Sequence, residues 1–301
     1  MITTASPCTE TQTVLGEGVR WDDRRNELLS VDILTGSLFR YRVEPATTLT
    51  AVARHEIGRP LGAVAPVEGD DGWVLAAGRG FARLGPDGRL AVVAEPAPEN
   101  FRVNDAAADP AGRFWAGVMA EDQRAGAGTV HVLAIDGTVT QALDGLTIPN
   151  GIDWSRDGRT MYLADSGQGL VFSFEFDADS GQLGKRRSLI EFGGEPGVGD
   201  GLTVDAGGDL WIALYGGGEV RRYSPDGRHK TTVKVPAPQA TSPGFGGPGL
   251  STLFVATATE GYTDEQREAE PLSGRLFCAR GIKANGLPAR RFQPRGEWWP
   301  R

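Results

Sequence analysis

The chain has 301 residues, with 39 Asp plus Glu against 31 Lys plus Arg and a formal net charge of −8. That balance lacks the basic footprint a nucleic-acid partner needs, and no apolar run approaches the length of a membrane-spanning helix. Two cysteines are too few for a disulfide scaffold or a thiolate metal site. The N-terminus, MITTASPCTETQTVLGEG, shows no basic start followed by an apolar core. A cytoplasmic protein with Cys8 and Cys278 reduced is therefore expected.

The 43 Gly and 19 Pro are spread over the whole length, which predicts many short strands with frequent reversals. In chain order, six segments repeat one grammar of strand, turn, strand, turn, strand. The first is EGVRWDDRRNELLSVDILTGSLFRY from Glu17, followed by LGAVAPVEGDDGWVLAAGRGFARLGPDG from Leu61. The third, NDAAADPAGRFWAGVM from Asn104, continues after an insertion into GTVHVLAIDG. The fourth and fifth are NGIDWSRDGRTMYLADSGQGLVFSFEFD from Asn150 and DGLTVDAGGDLWIALYGGGEVRRYSPDG from Asp200. The sixth, FGGPGLSTLFVATATEG from Phe245, closes in GRLFCAR. The starting points lie roughly 43 to 50 residues apart, the length of one four-stranded propeller blade. A sandwich would explain the strand spacing but not a repeat of this length. The expectation is an all-β, six-bladed β-propeller forming one domain over residues 1–301. A short helix-like stretch from Thr263 to Ala269 is the main departure. Ring closure should pair the segment around Cys8 to Val14 with a strand of the last blade, making Cys8 and Cys278 neighbours as reduced core thiols.

The residue that opens each copy is Glu17, Leu61, Asn104, Asn150, Asp200 and Phe245 in turn. Innermost propeller strands line the central channel, so these six positions should converge at one mouth. Glu17, Asn150 and Asp200 offer two carboxylates and an amide oxygen. That hard-oxygen set suits Ca²⁺, Mg²⁺ or Mn²⁺ and is acceptable to Zn²⁺ or Fe²⁺. Three protein ligands leave coordination positions open for water or substrate. Any single Asn-Gly or Asp-Gly is ordinarily a turn former; the convergence carries the reading. Leu61 and Phe245 are expected to form an apolar wall at the mouth. Asp87, Asp136, Asp157 and Asp226 read as turn residues, and Asp32 and Asp165 as structural hydrogen-bonders at strand ends.

His55, His131 and His229 share no metal-ligand spacing, and no G-x-S-x-G elbow appears. GFGGPG and GGEPGVGDG do not join a strand to a helix, so they do not indicate a nucleotide site. Trp21, Trp115, Trp154 and Trp211 are expected in the core. Trp298 and Trp299 either pack on the propeller surface or form a disordered end.

LGEGVRWDDRRNELLSVDI, NDAAADPAGRFWAG, PNGIDWSRDGRTMYLADS, GDGLTVDAGGDLWIALYGGGEVRRYSPDG and FGGPGLSTLFVATA resemble, in order, the motifs of the SMP-30/gluconolactonase/LRE-like family. The resemblance runs from Leu15 to Phe292. It implies a six-bladed propeller with one divalent metal, in a family whose members often hydrolyse aldonolactones. It implies Glu17, Asn150 and Asp200 as metal ligands, the same three that the repeat position selects, and Asp200 as general base too. Arg102 and Asn104 of FRVNDA would contact substrate hydroxyls, as would Glu121 after WAGVM. The expected partner is a small lactone, with no nucleic acid or membrane, bound to a monomer or weak homo-oligomer. The alternative is a non-catalytic propeller that binds calcium or presents a protein-binding face.

Overall fold

The computed structural model describes residues 3–44, 48–194 and 196–300. They form six antiparallel sheets, each with four strands in up-and-down order, and the fifth sheet gains a parallel edge strand, Thr3–Thr4. The innermost strands are Gly16–Asp22, Leu61–Pro66, Phe101–Ala108, Pro149–Trp154, Val198–Val204 and Ala240–Gly246. Each packs beside the next, and the sixth returns to the first, closing the ring. This is a six-bladed β-propeller.

Composition explains the layering within each blade. In blade four the second strand, TMYLAD, is buried almost throughout, whereas the outermost, LGKRRSLIE, is mostly exposed. Strands sandwiched between neighbouring blades read as apolar runs, while the rim strands carry charge that blunts the open edge. Between blades three and four, Trp115 packs edge-on to Trp154 at 5.8 Å, with Phe176 against both. Trp21, Trp115, Trp154 and Trp211 are all buried, and removing one such ring costs about 3–5 kcal/mol.

The chain ends close the ring. Ser6–Pro7 pairs antiparallel with Phe277–Ala279 as the outer strand of blade six. Cys8 and Thr13 N–H groups then donate to Leu276 and Gly274 carbonyls. The pairing thus begins just before the predicted Cys8–Val14 segment and continues through it. Both cysteines are buried and free, and the Cys278 thiol against Cys8, with burial, pushes the Cys8 thiol far up. The helix spans Asp264–Ala269 and opens on a capping box at Thr263.

Asp32 and Asp165 bind backbone. Asp32 accepts from the N–H groups of Val14 and Leu15, and Asp165 from those of Thr147 and Ile148. Each tethers the chain entering a blade to the end of that blade's second strand. Asp87, Asp136 and Asp157 accept the N–H two residues on, and Asp226 accepts from Arg228 Nε.

A C-terminal strap crosses the far mouth of the channel. The Ala206 N–H donates to Asn285 O, Arg290 reaches Asp153 at 2.7 Å, and Arg291 bridges Asp23 and Glu68. Phe292 pairs with Val67, and Gln293 N–H donates to Gly112 O. Trp298 and Trp299 pack on Phe292 at the end of this strap, with Trp299 Nε1 donating to Asp70. They pack on the propeller.

Candidate metal centre and substrate cavity

Every innermost strand breaks register with its partner at the same place. The irregularities fall between Glu17 and Arg20, Leu61 and Ala63, Val103 and Ala106, Pro149 and Ile152, Gly199 and Leu202, and Ala240 and Pro243. A bulge re-aims the side chain it carries. Here it carries Asn104, Asn150 and Asp200 and directly follows Glu17, and all four line one cavity of about 360 Å³. The wall is built from equivalent positions too. Leu15, Arg102, Ile148 and Val198 lie two residues before Glu17, Asn104, Asn150 and Asp200, and Ile33, Met119, Ser166 and Tyr215 sit at or near the ends of the second strands.

Blades two and six depart from the expectation. In blade six the irregularity falls on Thr241 and Ser242, so the residue equivalent to Asn150 is Thr241, and Phe245 lies four residues further on. Phe245 packs edge-on to Trp211 at 5.7 Å between blades. Leu61 is fully buried in the core shared by blades one and two. Neither forms a wall of the mouth. The apolar surface comes from Leu15, Ile33, Met119, Ile148 and Val198.

Glu17, Asn150 and Asp200 are 3 %, 6 % and 4 % exposed. Glu17 accepts from Gly18 N–H at 3.0 Å, and Asn150 Nδ2 donates to Asp200 Oδ1. Neither carboxylate has a salt bridge among the described residues. Burial, then the charges of Asp200 and Asp105, hold the Glu17 carboxyl well above the usual range. Burial and Asp105 do the same to Asp200, against the Asn150 hydrogen bond. Asp105 itself is pushed up to about 6 by burial, with Arg20 opposing. Buried anions with no ion-pair contact are costly, and a cation relieves that cost.

The amide of Asn150 is oriented for one. Ser166 Oγ donates to Gly199 O at 2.7 Å, so it accepts from Asn150 Nδ2 at 3.2 Å. Asn150 Oδ1 is left buried with no hydrogen-bond partner. An orphaned amide oxygen beside two buried carboxylates fits a hard divalent cation.

Arg102 lines the same cavity and forms no salt bridge among the described residues. Its Nη1 donates to Asn104 Oδ1 at 2.7 Å and to Val103 O at 3.1 Å. Burial holds its pKa below the ordinary arginine value, with Glu260 the largest opposing charge. Asn104 Nδ2 donates to Pro149 O at 3.2 Å. Glu121 is exposed and does not line the cavity, though its charge reaches Arg102; Gln123 lines the cavity from the same loop. Tyr215 and Glu260 line it as well, and the repeat alignment had not singled them out. The signal for Tyr215 was available: it ends the second strand of blade five where Ser166 directly follows that of blade four.

A sequence model of the SMP-30/Gluconolactonase/LRE-like region matches residues 15–259, spanning all three candidate ligands. The chain belongs to the SMP-30/gluconolactonase/LRE-like family. It is 34 % identical to regucalcin of Xenopus laevis over 288 residues, covering 92 % of this chain and 94 % of that protein. Human regucalcin is 34 % identical over 281 residues, covering 90 % and 92 %. Among solved structures it resembles a calcium-binding protein, regucalcin, from Agrobacterium tumefaciens, at 30 % identity, TM-score 0.89, and coverage of 97 % and 99 %. A gluconolactonase from Xanthomonas campestris shares the fold at 20 % identity and TM-score 0.71, over 89 % and 86 %. No helix among the described residues is long and apolar enough to cross a membrane.

Proposed function

We propose that the protein is a divalent-cation-dependent hydrolase that opens a sugar lactone to its hydroxy acid. The observation that carries this reading is the unpartnered Asn150 oxygen beside two buried carboxylates, on one cavity with a half-buried arginine that has no salt bridge among the described residues. Glu17, Asn150 and Asp200 would hold the cation, which supplies Lewis-acid polarisation of the lactone carbonyl when bound.

The chain's own groups account for the rest. Asp200, the carboxylate that the family resemblance assigns as general base, would take the proton of the attacking water. Water adds to the carbonyl carbon to give a tetrahedral oxyanion, the ring C–O bond then breaks as the carbonyl re-forms, and the proton taken up by Asp200 passes to the leaving oxygen as the product hydroxyl. Arg102, fixed by Asn104, donates to oxygens of the substrate and orients the ring. Leu15, Ile33, Met119, Ile148 and Val198 shield the reacting carbonyl from bulk water. Glu121 acts at the rim, through the loop that carries Gln123.

The acidic surface and the small cavity suit a neutral small-molecule substrate, with no nucleic-acid or membrane partner, handled in the cytoplasm by a monomer or weak homo-oligomer. A second reading, calcium binding without catalysis, draws on the regucalcin relatives and on the structure described as a calcium-binding protein. A calcium buffer has no need of Arg102 in the cavity, which favours the hydrolase. A pH-indicator screen of glucono-, galactono-, xylono- and arabinonolactone, with Ca²⁺, Zn²⁺, Mg²⁺, Mn²⁺ or Fe²⁺ supplied, tests it. Turnover above spontaneous hydrolysis is expected. Background rates under every combination favour the calcium-binding reading.

A further inference from the structure

Glu260 lies in the turn after the second strand of blade six, just beyond the segment that the family match covers. Its backbone is anchored: Gln239 Nε2 donates to Glu260 O at 3.0 Å, and Gln239 is itself paired with Tyr215. Its carboxylate faces the cavity with little to satisfy it. Tyr215 OH donates to Oε2 at 3.4 Å, longer than a good O–H···O bond. No salt bridge engages Glu260 among the described residues. Arg102 shares the cavity, feels Glu260 as its largest stabilising charge, and yet does not close onto it. A donor-only cation and an acceptor-only carboxylate thus face one space with unused hydrogen-bonding capacity.

From this pairing we infer that Glu260, steadied by Tyr215, is a specificity-determining residue that reads substrate hydroxyls. A neutral diol satisfies both partners. A hydroxyl oxygen accepts from Arg102, and a hydroxyl proton is donated to Glu260, a charge-assisted bond at each end. Tyr215, donating its own proton to Glu260, keeps its oxygen free to accept from a further hydroxyl. A lactone without hydroxyls leaves the remaining hydrogen-bonding capacity of all three groups unused. Such a site rejects the lacking analogue far more strongly than an apolar pocket rejects an extra group. The substrate class is accordingly a polyhydroxylated lactone. The inference rests on the lactone-hydrolase reading for its substrate, and on geometry alone for its ligand chemistry.

The test uses the full chain loaded with cation, with two probes. Calorimetric binding of sorbitol, a polyol that cannot be hydrolysed, reports hydroxyl reading directly. Rates on glucono-δ-lactone and γ-butyrolactone report it through turnover. Glu260→Gln is expected to weaken sorbitol binding about tenfold. It should lower kcat/KM for gluconolactone about tenfold more than for butyrolactone, with cation content unchanged by elemental analysis. Tyr215→Phe, which removes one hydroxyl, should move both readouts the same way by a smaller factor. Unaltered sorbitol binding in both variants, or equal losses on the two lactones, overturns the proposal. So does loss of the cation in Glu260→Gln, which would make the residue part of the metal centre. If the wild-type protein opens no lactone but its sorbitol affinity still depends on Glu260, the hydrolase reading fails and the hydroxyl-reading wall stands.

Discussion

Ser166 decides which atom of Asn150 faces the cavity. Its hydroxyl proton is used on Gly199 O at 2.7 Å, so it can only accept from Asn150 Nδ2, and Oδ1 is turned away from it, buried and unpartnered. Partners of this kind, which hold a ligand without touching the cation, typically change metal affinity by about 10–100-fold. Ser166→Ala should weaken divalent-cation binding by about tenfold, read by competition with a metallochromic chelator, while the unfolding midpoint of the cation-free protein stays close to wild type.

Stability of the cation-free protein should fall as pH rises. Glu17, Asp105 and Asp200 all have folded-state pKa values raised above those of exposed carboxylates, Asp105 to about 6. Between the unfolded value, about 4, and the raised folded value the native state binds more protons, so stability decreases with pH through that interval. The thermal midpoint without cation should therefore drop from about pH 5 to about pH 8. Saturating cation should raise the midpoint most at the upper end. Asp70 has the opposite sign, held at about 2 with Arg83 against it, but its contribution is already complete above about pH 4. His55 and His131, whose pKa values burial lowers, also oppose the fall below about pH 7, where the three carboxylates outnumber them. A cation-free midpoint that climbs across the window would contradict the assignment of these groups as uncompensated anions.

Arg102 places a positive charge in the cavity that would hold the cation. Arg102→Met should tighten cation binding by removing that charge and lower kcat/KM for gluconolactone by about a hundredfold or more. The loss on butyrolactone should be smaller. Weaker cation binding in this variant would show that Arg102 supports the fold of the mouth.

The strap across the far mouth should be worth several kcal/mol. Trp299 is 8 % exposed, and its Nε1 donates to Asp70 Oδ2; Asp70 also takes the fork of Arg83, Nε on Oδ2 and Nη2 on Oδ1. Trp299→Ala is expected to cost about 3 kcal/mol in urea unfolding. Asp70→Ala should cost a similar amount, because it leaves Arg83 and the indole N–H unpaired. Arg291→Ala breaks more exposed ion pairs and should cost about 1 kcal/mol or less.

The blades were legible because each buries its inner strands against two neighbours, which forces the same apolar runs and the same turn residues to recur. Glu17, Asn104, Asn150 and Asp200 shared a recognisable repeat position for a related reason: each sits in or directly beside an inner-strand bulge, and three of them are followed by glycine. Blade six hid its own position because ATSPGFG has no polar-glycine pair, and the nearest apolar strand start, Phe245, was four residues late. Glu260 was hidden for a different reason. It enters the cavity from a turn rather than from a strand position, and turn geometry after the second strand is not periodic. The C-terminal strap, which contacts several blades through Arg290, Arg291, Phe292 and Trp299, carries no repeat at all.

The central claim, that Glu17, Asn150 and Asp200 form one cation site on which lactone opening depends, is tested most directly by stripping the protein with chelator and titrating the cation back. The measurement is gluconolactone hydrolysis against bound metal per chain. Activity should vanish on stripping and return in proportion to occupancy, saturating at one ion per chain, with Asp200→Asn failing to recover. Full activity in a protein that elemental analysis shows to be free of metal would contradict the account.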